Sequence, residues 1–266
     1  MGNDADEIRN WWSTSIIDMS PGKISFRGNE IENLIGNISF PQMIWMMVRG
    51  GLPTNEEASL FEAALVAGVD HGPQAPSIAA ARMAATCGVG INNAMATGIN
   101  MLGDIHGGAG EQCAELFYEI SSRIDNGATF EKAIQEALRE WESGNGKIIS
   151  GFGHRFHKPI DPRAPRLLEL VRLAAKENIV SGKYADIAEA IQSHLSIKKD
   201  IAMNIDGATA VIFCELGFPA PLSRGLFCLS RSVGILSHAW EQIEQGGRNK
   251  GPMPPKYLPK YISKNT

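Results

Sequence analysis

The chain has 266 residues, 44% of them hydrophobic and 20% charged, enough for a sizeable core in one or two domains. Its 25 lysines and arginines against 29 acids leave a formal charge of −4, which excludes the basic field of a nucleic-acid or anionic-membrane binder; an anion has to be met by a local cluster. Four cysteines, Cys87, Cys113, Cys214 and Cys228, form no CxxC pair and lie in apolar helical contexts, which points to free thiols in a reducing compartment and away from disulfides or zinc.

The amino-terminal "MGNDADEIRNWW" is acidic where a secretory leader is basic and then apolar, and Asp6 stands where a myristoylation site needs Ser or Thr. Every later apolar run is broken by Gly, Asn or a charge before membrane-spanning length, so a cytoplasmic protein is expected. "KISFRGNEIE" reads as a short hairpin, and little else alternates like a strand, so the fold class expected is mostly α. In "LPTNEEASLFEAALVAG", Thr54 and Glu57 have capping-box spacing, Leu60, Phe61, Ala64 and Leu65 form one stripe, and Gly68 ends the helix.

His71 follows Asp70 and precedes a Gly-Pro turn, with Arg82 eleven residues on; on local grounds it reads as structural. "GDIHGGAGEQ" places His106 just before a helix, whose positive end would hold the imidazole neutral and suit it to donate toward a developing oxyanion. A histidine in a glycine turn is the plainer reading. A helix from Thr129 carries Phe130, Ile134, Ala137, Leu138 and Trp141 on one face, with Gly144 as its stop.

"SGFGHRFHKPIDPRA", residues 150–164, concentrates histidine, arginine, lysine and aspartate in a stretch too broken for a regular element. Gly151 and Gly153 allow a sharp turn before His154, and Arg163 falls in the first turn of the next helix, with either Asp161 or Ala164 as its cap. A guanidinium beside exposed helix N–H groups is a receptor for carboxylate or phosphate; a solvated charge cluster is the alternative. No third glycine or strand–helix unit supports a dinucleotide loop.

A helix through Tyr184, Ile187, Ala188, Ile191 and Leu195 follows, and then "MNIDGATAVIFCELG", where Asp206 reads as a helix cap and, alternatively, as a general base. In the helix that runs through "LFCLSRSVGILSHAWEQIEQGG", Arg224 just before this stretch, Arg231 and His238 recur every seven residues on one helix face, among apolar neighbours that imply burial. Buried arginines need anions, and few acids occur in that stretch, which favours a ligand carboxylate. The proline-rich tail is expected to lie against a neighbouring surface.

Together these motifs resemble the citrate synthase superfamily: "VDHG", "GDIHGGAG", "GFGHRFHKPIDPRA", "MNIDGA" and "SRSVGILSHAWEQ" occur in the family's order, from about residue 40 onward. The short length looks more like the citryl-CoA lyases, relatives of the carboxy-terminal module of ATP-citrate lyase. The resemblance implies an all-α homodimer, with a large domain of residues 1–112 and 226–266 and a smaller mobile domain of 113–225. It implies CoA and acetyl-CoA as substrate or product, a keto acid such as oxaloacetate, and no tightly bound cofactor or metal.

The roles implied are the thioester carbonyl for His106, the acetyl-carbon proton for Asp206 and the hydroxyl or keto oxygen for His154. His71, Arg163 and Arg231 would hold carboxylates, and Lys158 and Lys199 would meet CoA phosphates. Two places depart from the synthases. Met253 precedes Pro254 where an arginine from the partner subunit is usual, with Arg248 displaced, and Gly110 replaces the Asn frequent in synthases. A metal site of His154, His157 and His106 lacks helical ligand spacing and a companion carboxylate.

Overall fold

The computed structural model describes residues 3–197 and 201–263. It divides into two compact units, residues 1–62 and 63–266. The first holds α1 (Asn3–Trp11), strands β1 (Ile17–Ser20), β2 (Lys23–Phe26) and β3 (Asn29–Glu30), α2 (Ile31–Leu34), α3 (Phe40–Arg49) and the start of α4 (Asn55–Gly68). The expected hairpin is β2–β3, with Phe26 opposite Asn29. Its turn residues Arg27 and Gly28 take φ of 49° and 83°. β1 completes an antiparallel sheet in the order β1-β2-β3 and was not expected, because "IDMS" has no β-branched alternation. The capping box of α4 forms in both directions: Thr54 N–H donates to Glu57, and Glu57 N–H to Thr54 Oγ1.

The second unit contains α5 (Pro76–Thr86), α6 (Ile91–Ile99), α7 (Ala109–Asp125), α8 (Phe130–Asn145), α9 (Arg163–Lys176), α10 (Lys183–Ser196), α11 (Ile205–Glu215) and α12 (Ala220–Glu244). α11 is apolar on every side and buried through Gly207–Cys214, so other helices must surround it. α7, α9 and α10 do so, burying Phe117, Ile120, Val171, Ile187 and Ile191 completely. α12 packs on α5, α6 and α7, with Ile78, Ala81, Ala94, Ile235 and Ala239 in the core beside α5 and α6. Each such large aliphatic or aromatic side chain contributes about 1.5–3 kcal/mol by leaving water. The chain is mostly helical, as expected. No helix among the described residues is long and apolar enough to cross a membrane.

Helix ends differ locally from expectation. α8 runs through Gly144 and stops at Gly146, whose φ of 84° supplies the break. α12 starts at Ala220, earlier than its apolar stripe suggests, because Pro219 and Pro221 fit a first turn where N–H groups need no partner. The tail is tied down by the N–H groups of Asn249 and Lys250, which donate to Thr86, and is exposed over residues 251–262.

Two glycines test the packing with opposite signs. A Cβ on Gly234 would overlap the Val69 carbonyl oxygen, whereas one on Gly144 meets nothing within 4 Å. Gly234→Ala should cost about 2 kcal/mol and lower Tm by about 5 °C. Gly144→Ala should stabilise by about 0.5–1 kcal/mol. Thermal unfolding followed by circular dichroism checks both.

Candidate active site

The glycine–histidine loop is zipped onto the segment that starts α11. Asn204 N–H donates to Gly151 O (3.0 Å), Gly153 N–H to Ala202 O (2.7 Å) and Asn204 Nδ2 to Gly153 O (2.6 Å). Gly151, at φ 88°, cannot be replaced: its Cβ would sit 2.5 Å from Cys113 Sγ and 2.9 Å from Gly207 Cα. Backbone thus touches backbone between the loop and the first turn of α11.

Asn204 caps α11, its Oδ1 accepting from Asp206 N–H (2.9 Å) and Gly207 N–H (3.3 Å). The reading of Asp206 as the cap is therefore corrected. Asn204 lies two residues earlier and takes those donors, which leaves the Asp206 carboxylate without a hydrogen bond from any described residue. Packed protein raises its pKa above the ordinary aspartate value, against the pull of Arg231 and Arg163 and with help from Asp161.

Asp161 is 1% exposed and accepts four hydrogen bonds. Oδ1 takes Arg163 Nε (2.9 Å) and N–H (3.1 Å), while Oδ2 takes Arg163 Nη2 (2.8 Å) and Ile205 N–H (3.1 Å). Burial raises its pKa, but the bonds from Arg163 and Ile205 outweigh this and hold it below the ordinary value. Pro162 is the cap position of α9 and Arg163 its first residue, with Pro165 tolerated in the opening turn.

Three histidines gather over this base. His154 Nδ1 accepts from Phe156 N–H (3.1 Å) and His157 N–H (2.9 Å), so the neutral ring carries its proton on Nε2. The ring centroids of His154 lie 5.1 Å from His71 and 4.5 Å from His157, and His71 Nε2 is 3.4 Å from His157 Nε2. Burial lowers the pKa of His154 and of His71; His157 adds to the first, Arg163 and Arg231 to the second. His71 thus belongs to the cluster rather than to a structural turn.

His106 Nε2 accepts from Ser77 N–H (3.2 Å) and lies 3.0 Å from Ser77 Oγ, so its Nδ1 carries the proton and is free to donate. Burial, then Arg231, lowers its pKa. The N–H group responsible belongs to the first turn of α5, not to the helix that follows His106 in sequence.

Of the heptad on α12, only Arg231 lacks a carboxylate hydrogen-bond partner. It is 5% exposed, donates through Nε to Gly68 O (3.0 Å) and stacks on Phe227, and burial lowers its pKa against the attraction of Asp206 and Asp70. The ligand reading of Arg224 and His238 is corrected. Arg224 pairs with Asp104 (2.7 Å) and Glu111, and His238 Nε2 lies 3.2 Å from Asp70; these acids come from elsewhere in the chain, out of view of a local reading. Lys158 lines a cavity of about 650 Å³ with Gly153, His154, His157 and Met203. Lys199 lies outside the described residues.

His106, Asp206, Arg163, Arg231, His71 and His154 are therefore linked by mutual electrostatic influence in one region, the last two also by ring contact. Residues 55–252 match the family model "Citrate synthase, C-terminal domain". The chain belongs to the citrate synthase family. It is 32% identical over 202 residues to the citrate synthase of Saccharolobus solfataricus, covering 74% of this chain and 51% of that protein. It spans about half the length of the curated relatives it matches. Its fold superposes on the citryl-CoA lyase of Hydrogenobacter thermophilus with a TM-score of 0.82 and 31% identity, covering 95% of this chain and 94% of that one. The ATP citrate lyase of Methanothrix soehngenii shares the fold at a TM-score of 0.78 and 20% identity, over all of this chain and 45% of that one.

Sequence reasoning missed Asn204, Ser77 and the partnership of His71 with His157. Asn204 was recoverable, since an Asn two residues before Asp206 is an equally good cap. Ser77 and His157 act across distant chain positions and leave no local signal.

Asp161→Asn should remove about 3 kcal/mol of stability at neutral pH, because the half-buried Arg163 guanidinium loses its carboxylate and one buried oxygen becomes a donor. Its folded pKa lies below its unfolded one, so that stability is present above pH ~4 and lost as pH falls through the folded value. Urea midpoints of wild type and variant should converge in acid.

Proposed function

We propose that this chain is a citryl-CoA lyase-type enzyme, cleaving a 3-hydroxy-acyl-CoA of citrate type to acetyl-CoA and a 2-keto acid such as oxaloacetate. The observation that carries this reading is the likeness to a citryl-CoA lyase at a TM-score of 0.82 and 31% identity, set against TM-scores of 0.56–0.67 to solved citrate synthases.

The substrate hydroxyl gives its proton to His154 as the carbon–carbon bond breaks. The bond's electron pair moves onto the thioester carbonyl, where His106 Nδ1–H stabilises the enolate oxygen. Asp206 then protonates the terminal carbon to complete acetyl-CoA, a task suited to a carboxyl group whose pKa is raised. His71, Arg163 and Arg231 hold the carboxylates, and Lys158 and Lys199 meet the CoA phosphates. Nε2 of His154 receives the hydroxyl proton only when Nδ1 carries the ring proton, so the two backbone bonds on Nδ1 have to open first.

A larger domain of residues 1–112 and 226–266 and a smaller one of 113–225 would open and close around the substrate, in a cytoplasmic homodimer. Support for the dimer comes from α12, which exposes Leu229, Val233, Leu236, Trp240 and Ile243 at alternating spacings of four and three, a stripe suited to a second helical surface.

The second reading is a synthase that condenses and then hydrolyses the thioester, favoured by the names of the curated relatives. Incubation with acetyl-CoA and oxaloacetate in the presence of a thiol reagent separates the two: a lyase gives no sustained CoA release, a synthase does. In citryl-CoA cleavage, His106→Ala should lower kcat about 10²–10³-fold. Asp206→Asn and His154→Ala should each lower it about 10²–10⁴-fold. Wild-type turnover by His154→Ala would defeat the mechanism, and absence of turnover in the wild type itself would leave a CoA-thioester binding module. In sedimentation, the native protein should run at twice 28.8 kDa, and a Val233→Glu, Leu236→Lys double variant as a monomer.

A further inference from the structure

We infer that His157 is a substrate-binding residue: with His71 it forms a two-imidazole receptor for one carboxylate of the keto acid. The inference rests on the proposed function and adds to its binding residues. His157 and His71 are both half-buried, and His157 lines the 650 Å³ cavity together with His154 and Lys158. Their Nε2 atoms face each other at 3.4 Å, and no carboxylate of the described residues hydrogen-bonds either ring. A neutral pair in this position shares a single N–H···N contact, so only one proton lies between the two rings. A carboxylate oxygen inserted there accepts from both rings once each carries its proton on Nε2.

The charges around the pair favour an anion. His71 lies in the fields of Arg163 and Arg231, with Asp161 in opposition, and His154 is affected by the same Arg163 and Asp161. Asp161 is already spent on Arg163 and Ile205 through both oxygens. The two arginines and Asp161 therefore leave one net positive charge, reduced to the extent that Asp206 ionises. A citrate-type substrate brings two free carboxylates, so it needs further donors. His71, His154 and His157 present ring nitrogens within 4.8 Å of one another, an arrangement that also invites a metal reading. The chemistry of His154 argues against that reading. While its Nδ1 accepts two backbone N–H groups, its Nε2 carries a hydrogen and has no lone pair to offer a cation, so a metal would have to break both bonds.

Isothermal titration of the full chain with oxaloacetate, with citrate and separately with CoA tests the assignment. His157→Phe should weaken oxaloacetate and citrate binding about tenfold or more while CoA affinity stays within about twofold. His157→Gln, which keeps an N–H donor, should recover most of the loss. Equal carboxylate affinity in wild type and His157→Phe, or a parallel loss of CoA affinity in both variants, overturns the inference and leaves the functional reading standing. A wild-type protein that binds CoA but neither oxaloacetate nor citrate takes down the functional reading and this inference together.

Discussion

The site depends on one buried carboxylate. Asp161 sits beneath the glycine–histidine loop, grips the first residue of α9 through two side-chain bonds and receives the first N–H of α11. The loop and the start of α9, neighbours in sequence, are thereby joined to a helix that begins 44 residues after Asp161. α11 cannot shift to accommodate a misplaced loop, because its sides are buried against α7, α9 and α10. The Asp206 carboxylate is borne on a helix buried along nearly its whole length, and the loop bearing His154 is referenced to the same helix end. Placing reactive groups on a fully packed helix keeps their positions within the narrow tolerance that catalysis needs.

A second constraint is that His71, His106 and His154 all lie where burial disfavours the charged ring, and arginine fields act in the same direction. For His106 and His154 the tautomer is also fixed, by backbone N–H groups that occupy one ring nitrogen. In these tautomers His106 Nδ1 and His154 Nε2 are neutral N–H donors. Such donors stabilise negative charge as it develops on oxygen, without a reorganisation that an ionised, hydrated histidine would require. Arg231 fits the same pattern. It is buried with its Nε spent on a backbone carbonyl, and no carboxylate bonds its outer nitrogens, which remain for a ligand.

Much of the fold was legible because its information is local. The capping box at Thr54, the stripes of α8 and α10 and the glycines at 151 and 153 each act within a turn or two of their own position. The errors arose where the deciding partner was elsewhere or where two residues competed for one role. Asn204 and Asp206 are both good caps, and only the backbone bonds of Asn204 to the glycine loop decide between them. Arg224 and His238 looked like ligand groups because Asp104, Glu111 and Asp70 come from other elements. His157 was visible as a residue but not as a partner of His71, since 86 positions separate them. The motif order carried the site further than periodicity did, because a set of spaced residues encodes tertiary proximity that no helical pattern contains.

The two reaction directions ask for different resting states of the same pair. Cleavage starts with a proton on Asp206 and none to spare on His154. Condensation starts with Asp206 ionised and a proton on His154 ready for the alkoxide. The two states have equal net charge and differ by a separated ion pair. Burial acts against that separation at both ends, raising the pKa of Asp206 and lowering that of His154, while backbone donors on Nδ1 further oppose a protonated ring. Burial therefore favours the protonated acid and neutral ring from which cleavage would start, although the His154 tautomer has still to change before its Nε2 can take the hydroxyl proton. Substrate carboxylates would shift this balance by partly neutralising Arg163 and Arg231, whose fields pull Asp206 toward ionisation. Weakening those fields would raise the Asp206 pKa further, so a bound thioester with two free carboxylates would reinforce the protonated acid that its own cleavage consumes.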